Sequence, residues 1–494
     1  MSSMVRSQAF RFLVLLTALL FAGAAAARDT QTAAVWPHDT ADLQPDPNAV
    51  WGRLDNGMRY VLLPNATPKD RVSLRMLIAA GSMMEREDER GLAHFLEHMA
   101  FKGTENMPAG DLVQYLERLG MAFGADTNAS TGFDSTVYKL ELPSNAPDLL
   151  DRSLFVLREK ADKLLIPAAD LEKERGVVLS ERRLRDTARY RAFKAGLDFL
   201  LPDSRVAQRW PIGLESVIAT APRERLMDFY RRYYTPSRTT IIAVGAIEPA
   251  RFHQLIRKHF ASFRAQAPEG EDPDPGSVRP RGLEARLHYE AEGRTTVSLA
   301  TAKPYEPGPD TRPRRLGEIN RYLANAVVSR RLATLAQKPD AGFLGGAAQN
   351  DDFQRTAQIA FVLLDTQPDQ WHKALGVAET ELRRALTYGF TAAELEEQKK
   401  NLLANFKEAT RGAATRESPR LADELVGALT EDRVFTDPDQ DLREVEEILA
   451  LVTPESTLHE LRALWANSGP LIFLSGPVTL DDAQAAIADA YRAS

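Results

Sequence analysis

The sequence predicts an α+β protein of two homologous domains, each a mainly antiparallel sheet packed with helices. Three observations predict it. Strand-like runs and amphipathic helical runs share the stretch from residue 50 to residue 263. A buried-strand run that ends in glycine and leads into a helix occurs twice, at Gly245 and at Gly476, 231 residues apart. Between the two copies, 264–281 is rich in Pro, Gly, Asp and Glu, the composition of a solvated linker.

Taken in chain order, residues 1–27 have the pattern of a signal peptide. Arg6 and Arg11 are their only charges, 12–22 is an apolar run broken only by Thr17, and Ala25 and Ala27 offer small residues for a cut after Ala27. The apolar run is too short for the roughly 20 residues of a membrane span. Residues 28–49 form a lead with prolines at 37, 45 and 47. The first domain is expected over 50–263. Within it, Asp55-Asn56-Gly57 between two apolar stretches predicts a tight hairpin, because Asn-Gly accepts the positive φ angles of a type I′ turn. Strands are expected at 72–79 and 135–142, and helices at 91–101, 111–119, 148–165 and 170–185. The domain closes with the strand 240–245 and a helix over 249–263. After a linker at 264–283, the second domain runs over 284–494 and closes with the strand 471–476 and a helix at 480–491.

Composition narrows the function classes. The chain has 494 residues, 62 Lys and Arg, 69 Asp and Glu and no cysteine. Thiolate metal sites, disulfides and a cysteine nucleophile are therefore excluded. Cleavage after Ala27 would take the net charge from −7 to −9, which argues against nucleic acid as a partner. No phosphate-cradling glycine loop and no Gly-x-Ser-x-Gly stretch is present, so nucleotide use and serine-hydrolase chemistry have no support.

The sharpest signal is His94-Phe95-Leu96-Glu97-His98. On a helix, His94 and His98 stand one turn apart on one face, within reach of one metal ion, and Glu97 neighbours both. Two neutral imidazoles and one carboxylate suit zinc and leave a fourth position for water, whose proton a nearby Glu can take. The third ligand must then come from elsewhere. The helical stretch 171–181 offers Glu174 and Glu181, two turns apart on a face shared with Val177 and Val178. One could ligate while the other orients a histidine.

These motifs resemble the inverted-motif zinc metallopeptidases of the insulinase/pitrilysin family, closest to bacterial, processing-peptidase-like members. The resemblance rests on the H-x-x-E-H helix continuing into Met99-Ala100-Phe101-Lys102-Gly103-Thr104, the Glu174–Glu181 helix, the 233–245 stretch and a second homologous domain. It implies one Zn2+ per chain held by His94, His98 and Glu181, with Glu97 as general base and Glu174 as a conserved upstream carboxylate of the catalytic set. It also implies that 124–131 is an edge strand beside the metal, where Asn128 and Ala129 contact a peptide added as a strand. From the residues alone, the same stretch is a polar turn. The fold implied is one half of a clam-shell chamber.

The chain departs from the pattern in its second domain. Family members complete the site with an Arg and a Tyr from a second half-shell, where such donors stabilise the oxyanion. Here Ala336 and Phe343 stand at the aligned positions, and Arg330 and Arg331 nearby are expected on a helix surface. The resemblance therefore implies a zinc endopeptidase for short or unfolded peptides, periplasmic or secreted. It would dimerise with itself, or with a separate half that brings the missing donors, and would not insert stably in a membrane after signal cleavage. The alternative is an accessory subunit that needs a partner half for activity.

Overall fold

The computed structural model describes residues 36–108, 121, 124 and 126–494. The expected signal peptide and the helix at 111–119 lie outside the described residues.

The first sheet holds β1 (Val50–Arg53), β2 (Arg59–Pro64), β3 (Val72–Ile78), β4 (Thr127–Thr131), β5 (Thr136–Leu142) and β6 (Thr239–Gly245), ordered β1-β2-β6-β3-β5-β4. Only β2 and β6 pair in parallel. Its longer helices among the described residues are α1 (Leu92–Met99), α2 (Pro147–Asp162), α3 (Ala168–Arg185), α4 (Ala188–Leu200), α5 (Arg223–Tyr233) and α6 (Pro249–Phe260). The second sheet is ordered β7-β11-β8-β10-β9, from β7 (Glu284–Tyr289), β8 (Thr295–Pro304), β9 (Gly345–Phe353), β10 (Ala357–Thr366) and β11 (Leu471–Gly476). Around it lie α7 (Arg312–Leu335), α8 (Trp371–Tyr388), α9 (Ala392–Arg411), α10 (Ser418–Thr430), α11 (Pro438–Leu451), α12 (Pro454–Trp465) and α13 (Ala483–Ala493). Apart from β1, the two sheets have the same strand order and the same single parallel pair, β2–β6 in one and β7–β11 in the other. The fold is thus α+β, with two sheets of one plan.

Two local expectations are corrected. The β1–β2 turn is not type I′. The Gly57 N–H donates to Leu54 O, Gly57 alone has a positive φ (95°), and the Asn56 side chain donates instead to the carbonyls of Phe260 and Phe263. A bulged turn of this kind needs one left-handed residue and frees the asparagine to tie the hairpin to α6. The 264–281 stretch is also not wholly solvated. Val278 is buried, Gly270 lies against Tyr233, and Ser204 bridges to Gly276.

The halves exchange helices. The far side of the first sheet (Val61, Leu77, Val137, Ile242) is covered by Leu421, Leu425 and Leu429 of α10, from the second half. The second sheet packs Ile359, Leu471 and Phe473 on Leu197 and Phe199 of α4, from the first. Each buried aliphatic side chain contributes about 1.5–3 kcal/mol, so the exchange joins the halves through apolar burial. Arg75 on β3 adds a polar rivet, fully buried and paired with Glu141 at 2.6 Å and with Asp423 of α10 at 2.9 Å.

Candidate metal and active site

Helix α1 is short and two-faced. Leu92, Phe95, Leu96 and Met99, spaced i, i+3, i+4 and i+7, are fully buried in the first core. That orientation turns His94, Glu97 and His98 to the opposite side, toward β4 and α3. The cap residue Gly91 has φ 106° and no side chain to satisfy the free amides of the first turn. Glu85, from the preceding loop, does so: the N–H groups of Gly91 and Ala93 donate to its two carboxylate oxygens at 2.8 and 2.9 Å. Glu85 is fully buried, and burial pushes its carboxyl up to about 8 despite those two donors.

Three side chains converge beyond α1. His94 Nε2 and His98 Nε2 are 3.3 Å apart, and Glu181 Oε2 of α3 is 3.3 Å from the second and 3.6 Å from the first. Four-coordinate zinc with bonds of about 2.0–2.1 Å separates its donors by about 3.3–3.4 Å, so these atoms stand at the spacing of three corners of one coordination tetrahedron. Among the described residues this is the group of His, Cys, Asp and Glu ligand atoms close enough together to hold a metal ion. His98 Nδ1–H donates to Glu174 Oε1 at 2.9 Å, which leaves the lone pair of Nε2 free for the cluster. Lys102 Nζ holds the other Glu174 oxygen at 2.6 Å, and Arg185 Nη2 holds Glu181 Oε1 at 2.5 Å. His94 Nδ1 is buried with no hydrogen-bond partner among the described residues.

The surroundings set the charges. Burial, with His98 adding to it, pushes the His94 imidazole down to about 4, toward the neutral form that a ligand needs. Burial works against protonating His98, but the hydrogen bond to Glu174 and the neighbouring carboxylates hold it above the usual range. Burial likewise opposes ionisation of Glu181 and Glu174, yet their cationic and imidazole partners hold both below the ordinary carboxylate range. Glu97 differs: burial raises its carboxyl against a 2.7 Å hydrogen bond from Thr131 Oγ1.

The structure thus brings His94, His98 and Glu181 to one point and places Glu97 beside them. It sets Glu174 behind His98 instead of toward the cluster. Of the two valines expected on the shared face of α3, Val178 is buried and Val177 is half exposed. Asn128 and Ala129 lie not in a turn but on β4, at the edge of the first sheet, and the Asn128 side chain accepts from the Ala129 N–H at 2.8 Å. Arg330 and Arg331 pair with Glu397 and Glu394, and Phe343 is buried in the second core. Sequence reasoning did not single out Thr131, Lys102, Arg185 or Glu85. Lys102 and Thr131 lay within quoted stretches, and Arg185 stands one helical turn from Glu181 on the expected helix; Glu85 is joined to the site by loop geometry alone.

A two-sheet chain whose first half presents an H-x-x-E-H helix to two carboxylates of a second helix has the build of an inverted-motif metallopeptidase. Residues 60–193 match the insulinase (peptidase family M16) family, and 220–402 match the peptidase M16 inactive domain; together they cover more than half the chain. The chain belongs to the insulinase-type, M16 metallopeptidase family. It is 29% identical over 441 residues to the probable zinc protease PqqL of Escherichia coli, covering 86% of this chain and 46% of that protein. It is 27% identical over 365 residues to the zinc protease PqqE of Helicobacter pylori, covering 72% and 78%. The crystal structure of the first half of the periplasmic protease PqqL from Escherichia coli matches with a TM-score of 0.83 at 26% identity, over 92% of this chain and 98% of that one. The chain spans less than half the length of the Escherichia coli relative. Among the described residues, no helix is long and apolar enough to cross a membrane.

Proposed function

We propose that this chain is the catalytic half of a zinc-dependent endopeptidase that hydrolyses short or unfolded peptides in an exported, periplasmic-type compartment. The observation that carries the reading is the convergence of His94 Nε2, His98 Nε2 and Glu181 Oε2 with buried Glu97 alongside. Zinc bound by those three side chains would supply a Lewis acid and an acidified water. Glu97 is the general base, and its raised carboxyl keeps a transferred proton more readily than an exposed glutamate would. Thr131 fixes the orientation of that carboxylate, and Glu174 with Lys102 fixes His98. The β4 edge, with Asn128 and Ala129, receives the peptide as an added strand, a mode tolerant of sequence because main-chain hydrogen bonds carry the affinity.

The second half supplies no evident oxyanion donor, since Arg330 and Arg331 are engaged by glutamates and Phe343 faces a core. A separate partner half that carries such donors raises the rate and closes the chamber, since a second copy of this chain brings the same Ala336 and Phe343. The signal-like residues 1–27 and the periplasmic relative support the compartment.

The test is zinc content and cleavage of an unstructured peptide mixture, with Glu97→Gln as the comparison. The wild type is expected to hold about one zinc and to cleave. Glu97→Gln is expected to keep its zinc and lose about 10²–10⁴-fold in rate. Zinc in both with cleavage in neither would assign this chain to the accessory reading, active only with its partner half. Absence of zinc from the wild type would defeat the proposal.

A further inference from the structure

We infer that Glu85 is a positioning residue of the metal centre, doing for His94 through the backbone what Glu174 does for His98 through the ring. This rests on the proposal that His94, His98 and Glu181 hold zinc.

The two imidazoles are held in different ways. His98 has a carboxylate on its distal nitrogen, itself tied by Lys102. Such a partner usually fixes a ligand's tautomer and ring orientation. The distal nitrogen of His94 has no partner among the described residues, so neither its tautomer nor its orientation is set by a hydrogen bond at that nitrogen. His94 must be placed by packing and by the backbone that carries it. That backbone is the first turn of α1, and its Ala93 N–H, one residue before His94, ends on Glu85. The second oxygen of Glu85 takes the Gly91 N–H, so one carboxylate spans the start of the helix.

Glu85 is itself pinned. Arg205 and Arg209 both donate to its main-chain carbonyl, and Ser82 in the same loop donates to Arg209 O at 2.5 Å. Across the loop, Gly91 and Gly213 touch so closely that a Cβ on Gly213, whose φ is +68°, would collide with the Gly91 backbone. The start of α1 is therefore held by a rigid surround in which Glu85 is the part that contacts the helix amides. Met83, two residues before Glu85, packs in the same apolar cluster as Phe473 and Ile359 of the second half, so the support reaches the other sheet.

The experiment measures zinc dissociation constants by chelator competition, and thermal unfolding of the zinc-free proteins, for the wild type, Glu85→Gln, Glu85→Ala and Glu174→Gln. Glu85→Ala is expected to weaken zinc binding about 10–100-fold, the range seen when a ligand loses its outer support, and Glu174→Gln similarly. Glu85→Gln keeps one carbonyl acceptor and is expected to fall between. It also keeps the question answerable if Glu85→Ala fails to fold. Cobalt substitution should show an altered visible spectrum for Glu85→Gln, a change that loss of stability alone would not produce. If Glu85→Gln lowers only the zinc-free melting temperature while its zinc affinity and cobalt spectrum match the wild type, Glu85 is merely structural and the inference falls. If the wild type binds no zinc, the reading of the site falls first, and this assignment with it.

Discussion

In the first half, β4 runs beside α1 and Thr131 donates to Glu97; in the second, β9 runs beside α7 and the Asn325 side chain donates to Asn350 at 2.8 Å. These are the same place in two copies of one plan. Gly245 and Gly476 end the matching strands with the same φ of 141°, and the ladders read from them bring Thr131 level with Asn350. Asn325 then occupies the position of Glu97, with Tyr322 and Ala326 in place of His94 and His98. The buried stripe is kept: Leu92, Phe95, Leu96 and Met99 correspond to Asn320, Leu323, Ala324 and Val327, all buried. On the paired helices, Ala168-Ala169-Asp170-Leu171-Glu172 falls on Ala392-Ala393-Glu394-Leu395-Glu396, so Glu174 becomes Gln398 and Glu181 becomes Asn405. The second half keeps the stripe buried, with Asn320 in place of Leu92, and has none of the site groups His94, Glu97, His98, Glu174 and Glu181 at the matching positions. Fold and site are therefore separable in this molecule: the sheet and its helices persist where the chemistry does not.

The comparison is broken most directly by giving the first half the residue its counterpart has. Glu181→Asn should cost at least about 100-fold in zinc affinity, since a neutral amide replaces a carboxylate ligand. As a partly exposed substitution away from the core, it should change the stability of the zinc-free protein by no more than about 0.5 kcal/mol. Chelator competition and denaturant unfolding measure the two effects. Retained zinc in Glu181→Asn with loss in Glu174→Gln would transfer the ligand role to Glu174 and undo the pairing of the halves.

How far the sequence carried this comparison can be seen residue by residue. His94, Glu97 and His98 were legible because helical spacing alone sets which side chains share a face. The repeat was legible at its ends, where Gly245 and Gly476 follow buried strands, but not at its centre, because Tyr322, Asn325 and Ala326 retain no motif to recognise. Glu174 and Glu181 were legible as a pair. The residues alone left their roles open and the resemblance gave the ligand role to Glu181; α3 crosses α1 with Glu181 at the cluster and Glu174 behind it. Thr131 and Glu85 needed tertiary structure, since each reaches the site across a chain reversal that local patterning does not encode. The type I′ reading of Asn56-Gly57 failed for a related reason: a long-range bond to α6 claimed the asparagine side chain.

A smaller difference between the paired helices sharpens the comparison from the side of stability. Gly176 in α3 corresponds to Lys400 in α9, and a Cβ at Gly176 would meet nothing within 4 Å. Glycine inside a helix costs about 1 kcal/mol relative to alanine, so Gly176→Ala should stabilise the protein by about that amount. Zinc content and peptide cleavage should be unchanged, because this position points away from Glu181 around the helix. A loss of cleavage with stability gained would instead show that the glycine leaves room for a substrate or partner.

The smallest expected effect lies on the matching carboxylates Asp170 and Glu394. Among the described residues Asp170 pairs with the exposed Lys173 at 3.5 Å, whereas Glu394 takes Arg331 at 2.6 Å and caps α9 through Thr391. Arg331 foremost, and then the cap, hold the Glu394 carboxyl down to about 2, below the ordinary value of 4.5 that it regains on unfolding. A carboxyl lowered in the folded state adds stability that is complete above about pH 4.5 and is lost as pH falls toward about 2. Because Glu394 is partly exposed and solvent screens the pair, its contribution should be only about 1 kcal/mol. Denaturant unfolding of Glu394→Gln should therefore show a deficit of that size at pH 7 that shrinks steadily toward pH 3, whereas Asp170→Asn should show a smaller deficit or none. A deficit that stayed constant with pH would mean that the cap, not the charge, distinguishes the second half here.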